Sequence, residues 1–521
     1  MCGVPRRPSP EKVENLTKGS AMSVPRWLMS LSLLCLSLAC GGGSGNNGGG
    51  GNDPSLSITP SSTTVIAGGS PVNFTGALAN TTGTISWALT GPGSITPASG
   101  DTTSYTPPAS VASATTATLT ATSGTLTASA TITVNPPPTI TVAGTVVNTI
   151  GAGVNGATVA IGSQHTSTDA SGAFSLSGVT APYDAVVIVP VGPRNVVTVY
   201  KGLTRTDPKL FAILVSATPP HNGTVSGGVS GGDPLPAATD NTAVAWGSPE
   251  VTKTSFFGTT WSMSFEWTGP AATTGNVHAL QWTPTTGIPT AYKGYGVTTG
   301  VAVASGGSTT GVSVAMSVPA ASTIGGSVSV PAGLNLAQKS LNVDFGDGAS
   351  FNVGTETTAA TSFTYPVPNG ISSTASVGAT ATSTAAQSTT RVRGIAAGST
   401  GNTVTLLAPA VQSTPVVNAT GVSTSTDFTW TPLTGGLHIV LISSASASAP
   451  LYVMMTTGTT GRIPDLGSLG VVLPATTAYQ WAILAAGPWS SIDDVAGGTL
   501  LVPNGNTTNT TIAASRAFTT L

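Results

Sequence analysis

Charged side chains are scarce in this sequence of 521 residues. Asp, Glu, Lys and Arg make up 7% of it, against about 25% in an average soluble protein. Nucleic-acid binding needs clustered Lys and Arg side chains that neutralise phosphates, so this class of function is excluded. Charge-driven disorder is disfavoured as well, because 40% of the residues are hydrophobic and such a chain can bury apolar surface on folding.

Strong helix formers and cysteine are also rare. The chain has few of the residues that usually cover helix surfaces, while Thr, Ser, Val, Ala and Gly dominate, which favours strands joined by turns. The three cysteines are Cys2, Cys35 and Cys40, and none follows them. The chain after Cys40 therefore has no disulfide and no thiolate metal site. We predict an all-β protein of tandem β-sandwich domains.

A short apolar segment lies near the N-terminus. Arg26 precedes the 13 residues from Trp27 to Ala39, a stretch too short to span a bilayer but typical of an export signal. Cys40 and a glycine run follow. The segment resembles a bacterial lipoprotein signal, although Ser37 stands where an aliphatic residue is usual. The resemblance implies that Cys40 is lipidated and becomes the mature N-terminus. An ordinary cleaved signal with a chance cysteine is the alternative.

The first residues do not suit a signal peptide. Glu11 and Glu14 are acidic where a signal is basic, so we expect translation to start at Met22 and residues 1–39 to be leader and signal. The resemblance implies a lipid-anchored protein of the cell envelope, on the outer membrane or cell surface of a Gram-negative bacterium. Gly41 is not the Asp that retains enteric lipoproteins in the inner membrane.

Residues 40–54 form a glycine-rich run that predicts a flexible tether. After it, short alternating segments separated by turn residues predict sandwich strands, and Trp87 is expected in the core. Residues 55–135 resemble bacterial Ig-like domains of exported proteins. The resemblance rests on Ile58-Thr59-Pro60, Ala67-Gly68-Gly69, Ile85-Ser86-Trp87, Tyr105-Thr106-Pro107-Pro108 and Ala130-Thr131-Ile132-Thr133-Val134.

Residues 139–215 follow a proline spacer at 136–138. They contain Val142–Val147, a glycine-rich hairpin at 151–156, a strand pattern through Val159, and Thr168–Leu176. This order resembles carboxypeptidase-regulatory-like domains, which implies a seven-stranded transthyretin-like sandwich that accompanies peptidases and transporters without being catalytic itself. Gly151, Gly153 and Gly156 match a dinucleotide motif, but a strand pattern rather than a helix follows them, so no cofactor is expected.

Two later segments echo the start of that domain. Gly223–Gly227 and Gly326–Val330 repeat the pattern of Gly144–Val147 and mark further predicted sandwiches at 222–318 and 323–409. Residues 415–521 resemble a fibronectin-type-III sandwich. That resemblance rests on two alternating segments, Phe428-Thr429-Trp430-Thr431-Pro432 and Thr477-Ala478-Tyr479-Gln480-Trp481-Ala482-Ile483.

Metal ligands and catalytic groups do not form a recognisable motif. The four histidines, at 165, 221, 278 and 438, fall on separate predicted segments, so no metal site is predicted. His278 is expected as a partly buried sheet residue. Asp344 and Asp347 lie in a motif that resembles the turn of a PKD-type sandwich. They could contribute to a calcium site, but a tight turn is the preferred interpretation.

Aromatic residues concentrate between positions 246 and 295. Trp246, Tyr292 and Tyr295 are the candidate ligand-binding residues, because flat rings stack on sugars, and the two tyrosines are expected in an exposed glycine-rich loop. The competing interpretation is core packing. It is supported by the period of two along a single strand of four apolar residues, namely Trp261, Met263, Phe265 and Trp267.

The sequence therefore predicts a non-enzymatic, lipid-anchored envelope protein without cofactors. It would act as a surface stalk or as an adhesion module for a glycan or an envelope protein, with the membrane as a further partner through its lipid. The alternative is a secreted hydrolase with carbohydrates as the favoured substrate class, because catalytic carboxylates can converge in space without a sequence motif. A structural spacer without a ligand is the third possibility.

Overall fold

The computed structural model describes residues 53–213, 219–233, 240–284, 287–498 and 505–521. Its regular secondary structure is almost entirely β-strand, and this confirms the predicted all-β fold. The described residues contain no helix long and apolar enough to cross a bilayer. The chain divides into two compact units, with the division between Asn135 and Pro136.

The first unit is a sandwich of two four-stranded sheets. Their strand orders are β1-β3-β6-β5 and β2-β8-β7-β4. Alternating side chains of both sheets enclose a core in which Phe74 and Tyr105 are fully buried and Trp87 is 5% exposed, and this confirms the expected place of the tryptophan. The strands are β1 Ser55–Thr59, β2 Ser62–Ile66, β3 Val72–Ala79, β4 Ser86–Thr90, β5 Ser94–Thr96, β6 Thr102–Thr106, β7 Thr115–Ser123 and β8 Leu126–Asn135.

The second unit begins with three sandwiches of seven strands each, which we call repeats 1, 2 and 3. Repeat 1 contains β9 Thr139–Val147, β10 Thr158–Ile161, β11 Gln164–Ser167, β12 Ala173–Thr180, β13 Tyr183–Val191, β14 Arg194–Leu203 and β15 Lys209–Phe211. Repeat 2 contains β16 His221–Gly231, β17 Asn241–Gly247, β18 Thr252–Phe257, β19 Thr260–Trp267, β20 Ala272–Thr283, β21 Ala291–Ala304 and β22 Gly307–Met316. Repeat 3 contains β23 Ala320–Ser329, β24 Asn335–Phe345, β25 Ser350–Glu356, β26 Ser362–Asn369, β27 Ser373–Thr382, β28 Ala386–Ile395 and β29 Asn402–Thr405.

The three repeats share one strand order. In each, the first strand lies between the fourth and the seventh in a three-stranded sheet: β12-β9-β15, β19-β16-β22 and β26-β23-β29. The other four strands form a second sheet in the order third, second, fifth, sixth. Seven strands are the number that the resemblance of residues 139–215 implies, and the echo at Gly223 and Gly326 corresponds to this repetition.

The first strands of repeats 1 and 3 contain a glycine for the same physical reason. A Cβ on Gly326 would collide with the Asn402 carbonyl of the seventh strand and lie 2.6 Å from the Phe363 ring of the fourth. Gly144 meets the Pro208 carbonyl and the Phe174 ring in the same way. The central strand is therefore squeezed between a parallel neighbour and an aromatic ring, which leaves no room for a side chain.

A C-terminal sandwich completes the second unit. Its three-stranded sheet has the order β30-β32-β35. Its elements are β30 Val411–Thr414, β31 Ala419–Val422, β32 Phe428–Thr431, β33 Leu437–Ser443, β34 Leu451–Thr456, β35 Thr460–Gly461, a 3₁₀ turn Gly467–Leu469, β36 Ala478–Gly487, helix α1 Ile492–Val495, β37 Thr507–Ala513 and β38 Arg516–Thr520.

Strands of this sandwich extend the sheets of two repeats. β14 of repeat 1 pairs in parallel with β34, and β28 of repeat 3 pairs antiparallel with β37. The result is one 14-stranded sheet to which repeats 1 and 3 and the C-terminal sandwich all contribute. The sixth strand of each of these repeats, which would otherwise be a sheet edge, is thereby covered.

Repeats 2 and 3 are joined through a shared hydrophobic core instead. Ala243, Leu280 and Trp282 of repeat 2 are almost fully buried and pack in the same cluster as Phe345 and Phe351 of repeat 3. One sheet of repeat 2 therefore buries both faces, one against its own partner sheet and the other against repeat 3.

Candidate functional site

Trp246 does not lie at the surface. It is fully buried on β17, where its ring stacks on Phe265 with the centroids 5.0 Å apart. The period of two on β19 is confirmed as core packing, since Trp261, Met263, Phe265 and Trp267 are all at most 5% exposed. A ring in this position is enclosed by other side chains and cannot stack on a ligand.

The expectation that Tyr292 and Tyr295 lie in an exposed loop is wrong. Both residues lie in strand β21 rather than in a loop, Tyr292 is 8% exposed, and Tyr295 is only partly buried. Burial raises the pKa of both hydroxyls, that of Tyr295 to about 12. The glycines around them permit close packing of neighbouring strands, because a Cβ on Gly296 would collide with the Ala315 carbonyl.

His278 is the centre of a polar cluster between repeats 2 and 3. Its Nε2 lies 2.8 Å from Asp347 Oδ2, and its Nδ1 lies 3.1 Å from the Tyr295 hydroxyl. Asn276 Nδ2 donates to the same carboxylate oxygen at 2.8 Å. The ring of Phe345 stacks on the imidazole with the centroids 4.2 Å apart. We call these five residues the His278 cluster.

The His278 cluster keeps Asp347 ionised. Burial acts to raise the pKa of this carboxyl, but the hydrogen bonds from His278 and Asn276 outweigh it and lower the pKa below its ordinary value. His278 is 6% exposed, so it is a sheet residue as expected but is more deeply buried than predicted. The acid, imidazole and hydroxyl are thus arranged as in a proton relay, but they face the contact between two repeats rather than a cleft.

The turn that carries Asp347 forms as predicted. The amide of Ala349 donates to Asp347 Oδ1 at 3.1 Å, and Gly348 has a φ of 89°. Asp344 instead accepts from Arg391 Nη2 at 2.6 Å. The two carboxylates therefore bind different partners. Among the described residues, no three His, Cys, Asp or Glu side chains lie close enough together to hold a metal ion.

The other histidines lie apart from one another. His165 is exposed on β11, and His221 Nε2 lies 3.1 Å from the Gly269 carbonyl. His438 is fully buried, its Nε2 accepts from the Leu433 amide at 2.9 Å, and burial lowers its pKa. Cys40, the predicted lipidation site, lies outside the described residues.

A cleft of about 500 Å³ lies where repeat 1 meets the C-terminal sandwich. Its floor is one face of the sheet at β10, β11, β13 and β14, with Ala160, His165 and Val199 among its residues. Its wall is the segment around the 3₁₀ turn, including Arg462 and Leu466. We call this space the interdomain cleft.

Charged side chains line the interdomain cleft in pairs. Lys201 Nζ lies 2.6 Å from Asp184 Oδ2, and Arg462 Nε lies 2.6 Å from Asp427 Oδ1. The hydrogen bond from Arg462 holds the pKa of the Asp427 carboxyl below its ordinary value. Asp465 also lines the cleft, and its Oδ1 accepts the Gly467 amide at 3.2 Å.

Sequence reasoning did not find this cleft. Its two sides lie more than 200 positions apart in the chain, and no short motif marks either of them. The aromatic residues that drew attention in the sequence lie elsewhere, since the described lining contains no Trp, Tyr or Phe.

Comparisons with known proteins give distant similarities only. No protein-family model matches the chain, and no curated protein matches it. Among solved structures, the Bacillus anthracis TIE protein is 9% identical, with 69% of this chain and 75% of that chain covered and a TM-score of 0.21. Two B repeat units of the Staphylococcus aureus collagen-binding protein are 12% identical, with 68% and 99% covered and a TM-score of 0.15.

The pilus adhesin SpaC of Lactobacillus rhamnosus GG is a third similar structure. It is 10% identical, with 74% of this chain and 55% of that chain covered and a TM-score of 0.17. TM-scores this low do not establish a shared arrangement of domains, so the residues of the interdomain cleft have to carry any functional conclusion.

Proposed function

We propose that this chain is an exported, lipid-anchored envelope protein that binds an extracellular ligand without catalysing a reaction. Three features of the sequence support export and anchoring: the short apolar segment after Arg26, Cys40 next to Ala39, and the glycine-rich run behind it. We propose the interdomain cleft of the second unit as the ligand site.

The observation that carries the binding proposal is the pairing of charged side chains in a cleft of ligand size. Its volume of about 500 Å³ is within the range of ligand sites, about 300–1,000 Å³. Asp184 and Asp427 each pair with a basic side chain there. Carboxylates held in ion pairs give fixed points of recognition, whereas a general acid requires a carboxyl with a raised pKa.

Hydrolysis is the second candidate, for a specific reason. Three carboxylates, of Asp184, Asp427 and Asp465, line the same cleft, and glycoside hydrolysis uses two that face one bond. Two of the three, Asp184 and Asp427, are already held in ion pairs with basic side chains, which favours binding over this alternative.

The lipid anchor is tested by the Cys40→Ala substitution. We expect metabolically labelled fatty acid to be incorporated into the wild-type protein and into a Cys35→Ala control, but not into the Cys40→Ala variant, which leaves the membrane fraction. Equal labelling and equal membrane association of all three proteins would refute the anchor.

The cleft is tested by filling it. A glycan array and a library of linear peptides are probed with the wild-type chain and with Ser468→Trp, whose indole would occupy the cleft. Ser448→Trp, also at an exposed position but outside the cleft, is the matched control. We expect binding to be lost in Ser468→Trp alone. Binding that survives in Ser468→Trp contradicts the proposal, and turnover of a bound glycan that stops in Asp465→Asn supports the hydrolase.

A further inference from the structure

We infer that the free side of β11, together with the interdomain cleft, binds an extended peptide as an added β-strand. This inference rests on the proposed function and names its ligand as a protein segment. Strand addition uses the backbone groups of a sheet edge for affinity and pockets beside the edge for specificity. Both are present here.

β11 is the terminal strand of the 14-stranded sheet. Among the described strands it pairs only with β10, with His165 opposite Ala160 and Ser167 opposite Thr158. The side chains of Gln164, His165 and Ser167 are exposed. The strand carries neither the Lys nor the Pro with which many proteins block an open edge.

The hydrogen-bond register shows which backbone groups are free. The amide of Thr168 donates to the Ala157 carbonyl at 2.9 Å. In an antiparallel pair, residues that bond across alternate with residues that do not. Thr166 therefore faces β10, and the N–H and C=O groups of His165 and Ser167 point away from it. These four groups match the spacing of an incoming strand.

The corresponding edges in the other two repeats are in contact with protein. In repeat 3, β25 is in close contact with residues 287–289 of repeat 2. The contact is so close at Gly354 that an added Cβ would lie 2.9 Å from the Ile288 Cα. In repeat 2, Thr254 Oγ1 on β18 donates to the Ser350 carbonyl of repeat 3 at 2.9 Å. Both of these strands therefore contact the neighbouring repeat, whereas the edge of repeat 1 borders the cleft.

The chemistry of the cleft favours a peptide over a glycan. No Trp, Tyr or Phe ring is present among its described lining residues to stack on a sugar. Alternate side chains of an added strand would instead point into it. Lys201 and Arg462 pair with Asp184 and Asp427, which leaves the charge of Asp465 in excess. The preferred peptide therefore carries a Lys or Arg side chain.

The test begins with a displayed library of random linear peptides of about ten residues, selected on the mature wild-type chain. The peptides obtained are then measured against His165→Pro and His165→Thr. Both substitutions remove the imidazole, but only proline removes the outward N–H. Neither disturbs a bond to β10, because His165 belongs to a non-bonded pair.

We expect His165→Pro to bind the peptide about tenfold or more weakly than His165→Thr, because both variants lack the imidazole of the cleft floor and only the proline variant lacks the outward N–H. Asp465→Asn should reduce the preference for a basic side chain. Equal affinity of the two His165 variants would overturn the inference, and so would a library that enriches no peptide.

A second measurement holds even if His165→Pro does not fold. Selected peptides are N-methylated at one amide at a time and bound to the wild-type chain. Strand addition predicts that binding is lost on methylation at every second residue, and a uniform response contradicts it. If Ser468→Trp abolishes ligand binding but neither of these patterns appears, the cleft remains the binding site and only the added strand is refuted.

Discussion

At the scale of single residues, the His278 cluster shows how one carboxylate fastens two repeats. Asp347 reaches from the turn of repeat 3 to Asn276 and His278 of repeat 2. Its approach requires a glycine opposite, since a Cβ on Gly247 would collide with the carboxylate. The cluster thus acts in stability, and its loss should loosen the contact between the repeats.

We predict that Asp347→Asn lowers the free energy of unfolding by about 1–3 kcal/mol at neutral pH, because charge-assisted hydrogen bonds become neutral ones. Urea unfolding followed by tryptophan fluorescence measures it. Asp101→Asn, at an exposed position, is the control and should change little. An unchanged midpoint in Asp347→Asn would mean that the cluster does not hold the repeats together.

The same carboxylate makes stability depend on pH. The pKa of Asp347 is lowered in the folded state, so its ionised form stabilises the fold. That contribution is complete above the ordinary carboxyl pKa and is lost as the pH falls through the lowered value. The difference in stability between the wild-type protein and Asp347→Asn should therefore shrink on acidification, and a constant difference would contradict this assignment.

Single residues also mark the limit of sequence reasoning. The period of two on β19 identified Trp261 and Trp267 as core residues, because alternation within one strand is a local property. The burial of Tyr292 and the contacts of His278 with repeat 3 were not accessible in this way. Asp347 and Phe345, which contact His278, come from another repeat, and nothing local in the sequence records that contact.

At the scale of elements, the crowded glycine of the first strand defines the repeat. We predict that Gly326→Ala destabilises the second unit by about 2 kcal/mol or more, because its methyl group would overlap the Asn402 carbonyl. Thermal unfolding measures the change. Gly258→Ala, with no atom within 4 Å of the added Cβ, is the control, and a similar loss in both variants would refute the explanation.

Elements were predictable where the pattern is local and short. The glycine echo at Gly144, Gly223 and Gly326 indicated related sandwiches, and the strand order agrees with it. In repeat 2, however, Gly227 is the residue that meets the seventh strand at the Val312 carbonyl. The glycine-rich segment after Tyr292 is predicted as a loop but belongs to strand β21. Glycine permits close packing of strands as well as turns, so its presence does not distinguish the two.

At the scale of the whole molecule, sheets cross the boundaries that the sequence suggests. The sequence divides residues 139–521 into four ranges, and these ranges remain a prediction as separate domains. Yet β14 pairs with β34 and β28 pairs with β37, so edges of two repeats are closed by the C-terminal sandwich. Pairings between residues so far apart follow from packing, which no local pattern encodes.

The interdomain cleft is a consequence of that joining. Its floor belongs to repeat 1 and its wall to the C-terminal sandwich, so the site exists only in the assembled unit. The candidate site was therefore not predictable from sequence, although the type of function was proposed from export signals and composition.

Hydrogen exchange of the mature chain, with and without a selected peptide, tests the central claim most directly. Without peptide, we predict slow exchange for the closed strands β14 and β28 and fast exchange for the outward amides of His165 and Ser167. With peptide, these two amides should slow while β14 and β28 stay unchanged. If β11 is as protected as β14 without peptide, or does not slow on its addition, the open edge beside the cleft is not the binding site.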